Sequence, residues 1–444
     1  YGDHRDLHSF PTRRSSDLTS SSTFNNTWNG LYSTLKSARI IINQCSEGGI
    51  DHGNYVTKGM AEVLAAYNCA LIADMFGDAP CSQAALIDEN GSPVYLTPKM
   101  DKQEEIYTQA MQYLDDAIAD LQKEDLIDPE AQDLLYQGDA EKWLKLAYGL
   151  KARYTMHLLK RSANKDADME KVLEYVNNSF ESAEEQAAFD VYDANNINPL
   201  YGFFVARAGL GASESMRSKL AEYNDPRLSR AFITKQGTSG KEQAPGTADN
   251  AVYAPNGTPE QGTSKYGTSL FMYSISAPTL LLSYHELKFL EAEALCRLER
   301  DAKSALKDAV VAGLLNAENS FTISRKELGK TLINAASSIT EAEAKSYFDN
   351  TIEAKYTAEP LKTTMTQKYF ALWGASGEAT ESYNDVRRMK GLGENFIELK
   401  NPNSFPLRCP YGNSDTTTNA EVKAAYGNGQ YVYSENVWWA GGSR

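Results

Sequence analysis

Carboxylates are the residues best able to do chemistry in this chain. In "MTQKYFALWGASGEATESYNDVRRMKG", positions 365 to 391, Glu378, Glu381 and Asp385 stand among Trp373, Tyr369 and Tyr383 and just before Arg387 and Arg388. Hydrolysis of a glycosidic bond needs two carboxyl groups facing each other across it, about 5 to 9.5 Å apart according to mechanism. Those three acids and Asp225 are the candidates. The chain carries 59 Asp and Glu, so such groupings arise by chance, and solvated faces or structural ion pairs are the expected roles.

Other near-matches each lack a residue their chemistry requires. "HELKF" supplies His285 and Glu286, with Phe289 where a zinc helix places its second histidine. "GLGAS" and "GLGEN" lack the third glycine of a dinucleotide loop, and there is no G-K-[ST] phosphate loop. No G-x-S-x-G elbow offers a serine nucleophile. "DENG" at Asp88 to Gly91 lacks the spacing of a twelve-residue calcium loop and reads as a turn. The cysteines Cys45, Cys69, Cys81, Cys296 and Cys409 have neither C-x-x-C spacing nor neighbouring histidines, so buried free thiols are expected. No catalytic residue, cofactor or metal site is assigned.

Helices must position whatever function these residues have. In "KGMAEVLAAYNCALIADMFGD" Met60, Leu64, Tyr67, Leu71 and Met75 recur at steps of three and four, the period of one helix face, and Gly77 is a stop. Tyr107, Met111, Leu114, Ile118 and Leu121 repeat the pattern, as do Trp143, Leu146, Leu150, Tyr154 and Leu158 behind a cap at Asp139. Ser283 with Glu286, and Thr340 with Glu343, have capping-box spacing. The steps from Trp28 to Gly59 and from Tyr107 to Trp143, 31 and 36 residues, bracket the 34-residue tetratricopeptide period without its full consensus. Positions 190 to 278, rich in Gly, Ser, Thr and Pro, read as loops and short extended pieces.

Composition narrows the partners. A net charge of -15 from 44 Lys and Arg against 59 Asp and Glu argues against nucleic acid, whose binding displaces counterions from phosphates. No apolar run is expected to approach the ~20 residues of a membrane span. With 26 tyrosines among 444 residues, the chain has many rings that pair a flat apolar face with a polar tip, which suits polar ligands.

Read in order, "WNGLYSTLKSARIIINQC", "GMAEVLAAYNCALIADMFGDAP", "IYTQAMQYLDDAIADL", "LLYQGDAEKWLKLAYGLKARYTMHL", "NPLYGFF", "NDPRL", "LLSYHELKFLEAEAL", "TQKYFALWG", "YNDVRR", "FPLRCPYG" and "VWWAGG" resemble the successive motifs of the SusD/RagB outer-membrane nutrient-binding lipoproteins. The resemblance runs from about position 24 to the end. It implies a mainly α protein: a superhelix of tetratricopeptide-like helix pairs, little β structure and an irregular, loop-rich ligand-binding region. It implies a non-enzymatic, lipid-anchored protein on the cell surface of Bacteroidota, which passes oligosaccharides or other nutrients to a TonB-dependent, SusC-like transporter.

The first 18 residues resemble sequencing-adapter read-through and are expected to be non-native, the family's signal peptide and lipidated cysteine being lost at that junction. Residues 19–444 are expected to form one SusD-like domain, with a helical core at about 24–190 and 279–360 and irregular ligand-face regions at about 191–278 and 361–444. A sugar offers C–H faces to aromatic rings and hydroxyls to polar groups. Tyr95, Tyr253, Tyr266, Tyr273 and Trp373, each in or beside a Gly/Pro/Ser-rich segment, are the expected ligand-binding rings. Tyr201, Phe203, Phe204, Trp438 and Trp439 are expected to be packing. A carbohydrate-active hydrolase and a helical scaffold that binds only proteins are the competing readings.

Overall fold

The computed structural model describes residues 18–207, 211–236, 242–245, 252–256, 266–374, 377–400 and 404–444; most of the stretch expected to be non-native therefore lies outside the described residues. The fold is mainly helical with little strand, as expected. Where one domain is expected, the chain forms two compact units. Unit 1 holds the described residues up to Glu181 with Asn384–Glu394 and Asn403–Arg444; unit 2 holds Ser182–Tyr383 and Asn395–Pro402. Helical period tells which face of a helix is buried and not which helices share a core, so this division is silent in the sequence.

Unit 1 is built on α1 (Asn25–Cys45), α2 (Tyr55–Phe76), α3 (Gln103–Asp120), α4 (Ala140–His157) and α5 (Lys165–Asn177), each packed on the next. Asp139 caps α4 by accepting the N–H groups of Glu141 and Lys142, donors that the first turn would otherwise leave unpaired. Gly77 ends α2 at φ 78°, where a Cβ would lie 2.6 Å from Arg408 Nη1. The α2 stripe departs from expectation. Met60, Leu64, Tyr67 and Leu71 are its half-buried side, while Val63, Ala66, Ala70 and Ala73 on the other sides are buried. Contrary to the composition reading, α2 is long and apolar enough to cross a membrane; 83% of its apolar window is buried inside the protein, so it is a core helix.

Unit 2 begins with β1 (Ala187–Phe189), which pairs antiparallel with β5 (Thr279–Leu282). Between them lie α6 (Pro199–Arg207), α7 (Glu214–Glu222) and an antiparallel sheet of β2 (Phe232–Gln236) flanked by β3 (Glu242–Pro245) and β4 (Thr268–Ser269). Region 191–278 is thus more regular than expected. "NPLYGFF" is α6, started by Asn198, whose Oδ1 accepts the N–H groups of Leu200 and Tyr201, and by Pro199 in the first turn.

α8 (Tyr284–Arg297), α9 (Lys303–Leu328), α10 (Glu341–Tyr347), α11 (Glu353–Ala358) and α12 (Pro360–Ala371) follow. Ser283 and Thr340 cap α8 and α10 through the N–H groups of Glu286 and Glu343, as their spacing predicts. The core joins Phe289 of α8, Leu306, Leu314 and Phe321 of α9, Phe370 of α12 and Phe232 of β2. α12 and α13 (Ala379–Leu392) correct the expectation of an irregular 361–444: Pro360 opens α12, and Gly374 and Gly377, both at positive φ, separate the two helices. The returning segments are stitched into unit 1 through backbone carbonyls: Arg387 Nη1 donates to Asp74 O at 2.7 Å, Arg408 Nη1 to Phe76 O at 3.3 Å and Tyr411 Oη to Asp78 O at 2.8 Å.

Candidate functional site

A groove of about 640 Å³ opens in unit 2 between α7, α12 and residues 395–400. Its walls are fixed from behind. Ser213 Oγ accepts Met216 N–H to start α7, and Glu214 N–H donates to Ala254 O at 3.0 Å while Ala254 N–H donates to Ala212 O at 2.8 Å. Tyr253 packs edge-on against Phe232 at 5.2 Å, with the Arg217 guanidinium over its ring at 5.6 Å. On the α12 side, Arg227 Nη1 donates to Phe370 O at 2.7 Å while Asp225 holds the same guanidinium at 2.8 and 2.6 Å. This fork is fully buried and ties the α12 wall to the Asp225 turn.

Two half-buried rings, Tyr223 and Phe396, face the groove. Tyr223 rests edge-on against Phe370 at 5.3 Å with Lys355 Nζ 4.4 Å above its ring. Burial raises its hydroxyl pKa, and a hydrogen bond with Thr366 opposes this. Polar groups surround the rings: Ser218, Asn256, Thr366 and Asn395 are neutral, and three carboxylates (Glu214, Glu222, Glu398) meet three ammoniums (Lys219, Lys362, Lys400). The signs balance, so the groove carries no net charge of either sign to favour an ion. Lys219 is half-buried, donates to Ser215 Oγ at 2.7 Å, and has its pKa lowered by burial and then by Lys400.

The expected ligand rings are placed differently. Tyr253 and Tyr266 are only 3% and 6% exposed. Tyr273 is half-buried against Phe204 at 5.0 Å, and Trp373 is half-buried, stacked on Phe232 at 5.2 Å and edge-on to Phe271 at 5.1 Å. These four pack in the core and inner wall of unit 2, two of them buried and two half-buried. The reason is steric. A Cβ on Gly267 would lie 2.7 Å from the Tyr253 ring, and one on Gly374 2.5 Å from Phe271, so glycine beside these aromatics permits close packing. Tyr95 does stand out, 45% exposed between Val94 and Leu96 on a turn of unit 1. Asp88 shapes that turn by accepting the N–H groups of Asn90 and Ser92, both at 2.9 Å, as the "DENG" reading expects.

Tyr223 and Phe396 escape the sequence reading. Tyr223 follows α7 directly and precedes Asn224, at φ 49°, so a ring at a helix exit before a sharp turn was the available signal. All four candidate acids are buried, and three of them are held by structural bonds: Glu378 Oε1 accepts Ser283 N–H at 2.6 Å, Asp225 pairs with Arg227 at 2.6 Å, and Asp385 pairs with Arg388 at 2.8 Å. His285 Nε2 lies 3.7 Å from Glu378 Oε2, and burial pushes its pKa down to about 4. Trp439 is the expected packing residue, fully buried, with its indole N–H donating to Asp74 Oδ1 at 2.9 Å.

Comparison with known proteins agrees with this architecture. Residues 12–411 match a SusD-like family model described as starch-binding and associating with the outer membrane. A SusD/RagB family protein of Bacteroides thetaiotaomicron is 66% identical, with a TM-score of 0.93 over 98% of this chain and 90% of that one. A SusD homolog of Bacteroides fragilis shares the fold at 19% identity and a TM-score of 0.68, covering 97% of each chain. A chitin-binding SusD homolog of Flavobacterium johnsoniae does so at 19% and 0.67, over 96% of this chain and 92% of its own. No match was found among curated proteins. The chain belongs to the SusD/RagB family, whose members are outer-membrane-associated binding proteins for starch and related glycans.

Proposed function

We propose that this protein captures oligosaccharides at the cell surface, lays them in the groove between α7 and α12, and passes them to a TonB-dependent, SusC-like transporter. The groove carries this reading: it is large enough for several sugar rings and combines two aromatic faces with neutral and charged hydrogen-bonding groups. Tyr95 is a further ring available to a glycan in unit 1. Tyr253, Tyr266, Tyr273 and Trp373 act from behind, as the packing that holds the walls of unit 2. SusD-like proteins bind rather than catalyse. For this chain the absence of turnover is supported by the structural pairing of Asp225, Glu378 and Asp385. Attachment of the native protein through a lipid, and delivery to the transporter, follow from the family resemblance.

Calorimetry against α-linked glucose and β-linked N-acetylglucosamine oligosaccharides, with reducing-end release measured in parallel, tests the reading. Saturable binding without release is expected. Release that disappears in Glu378→Gln or Asp385→Asn would establish a hydrolase instead. Failure of the folded protein to co-purify with its folded transporter would remove the delivery step.

A further inference from the structure

Unit 1 holds a second chemical feature, independent of the glycan reading. Cys69 on α2 and Cys81, just beyond its end, are fully buried, and their sulfurs lie 3.3 Å apart with the two thiols hydrogen-bonded. Cys81 stands at the base of a loop closed by mutual backbone hydrogen bonds between Ala79 and Asp101, both 3.1 Å. The Asp101 carboxylate accepts the N–H groups of Cys81 and Ser82 at 2.8 and 2.6 Å, and Arg39 Nη1 donates to Cys81 O at 2.8 Å. This loop carries Val94, Tyr95 and Leu96, all exposed. The sequence reading treats the five cysteines as inert and leaves this pairing unread.

We propose that Cys69 and Cys81 are oxidised to a disulfide as the protein folds outside the cytosol, stapling the base of the Tyr95 loop to α2. To bond, the two sulfurs close from 3.3 Å to about 2.05 Å, and the compartment that an outer-membrane protein crosses favours such bonds.

Cys81 thiolate attacks one sulfur of a disulfide oxidant, forming a mixed disulfide and releasing the oxidant's first thiolate. Cys69 then gives up its proton and attacks Cys81 Sγ, which expels the second thiolate. Two electrons pass from the cysteines to the oxidant, and the two protons end on its thiols. Because both sulfurs are buried in the folded unit, the exchange precedes closure of the Ala79–Asp101 loop over them.

The test refolds the full chain in a mixture of oxidised and reduced glutathione, blocks remaining thiols, and maps peptides without reduction. The expected product is a Cys69–Cys81-linked peptide lighter by two hydrogens, with a melting temperature roughly 5 °C above that of protein folded under reductant. Cys81→Ala should melt at the same temperature with or without reductant. Recovery of Cys69 and Cys81 as blocked thiols after refolding would overturn the proposal. A linked peptide whose reduction leaves the melting temperature unchanged would overturn the staple.

Discussion

Asp74 in unit 1 and Lys219 in unit 2 are both drawn back from water, and their surroundings differ. Asp74 is closed in. Tyr107 Oη and Trp439 Nε1 donate to one of its oxygens, and Asn384 Nδ2 and His157 Nδ1 lie 3.4 Å from the other. Lys219 faces an open groove, its partner the hydroxyl of Ser215. Polar groups at the first position fix the returning chain onto α2, α3 and α4, and those at the second are left toward solvent and whatever occupies the groove. Buried polarity in this fold is therefore structural where its bonds close internally, and available for recognition where they stay open.

The largest expected effect comes from breaking the closed network. Asp74→Ala leaves the Trp439 indole and the Tyr107 hydroxyl without their shared acceptor and should cost about 3 kcal/mol in denaturant unfolding. Oligosaccharide affinity per folded molecule should not change; a parallel loss would show that Asp74 also serves the ligand.

The next effect sharpens the contrast through pH. The His285 pKa is pushed down to about 4 by burial, with Arg227 and Lys368 on the same side of the balance and Glu286 against them. Since the unfolded imidazole titrates near 6.5, the unfolded chain takes up a proton that the folded one refuses as pH falls from 6.5 to 4. Stability is complete above pH 6.5 and should fall by up to about 3 kcal/mol over that interval. His285→Gln should flatten that part of the stability profile relative to the parent protein, and an unchanged slope would assign it to other groups.

Breaking the open site is expected to cost less. Tyr223→Ala together with Phe396→Ala should weaken oligosaccharide binding by about 1 kcal/mol per ring that stacks, read by calorimetry. Lys219→Met is the smallest perturbation. It removes a charge whose pKa burial already lowers, so stability should hold within about 0.5 kcal/mol. A fall well beyond this would mean that the ammonium has a structural partner.

The sequence carried the helices further than it carried the site. Ser283, Thr340 and Asp139 announced their helix starts because a cap is a local bond between residues two or three apart. Asn198–Pro199 carried the same kind of signal, obscured by the glycine in "NPLYGFF". The groove was not legible in this way. Its walls come from α7, α12 and residues 395–400, and only the folded chain brings Tyr223 to Phe370. Tyr253 and Trp373 show the converse: neighbouring loop residues suggested exposure, whereas their glycines let them pack against Phe232. The ordered family motifs conveyed the fold and the class of function without locating the ligand.

Hydrogen exchange with and without a saturating oligosaccharide found by calorimetry tests the central claim most directly. The account predicts slowed exchange over Glu214–Tyr223 and 395–400, the two edges of the groove, with the segments around Asp74 unchanged. Saturation that leaves both edges unprotected, with protection confined to the Tyr95 turn or to another surface, would contradict it.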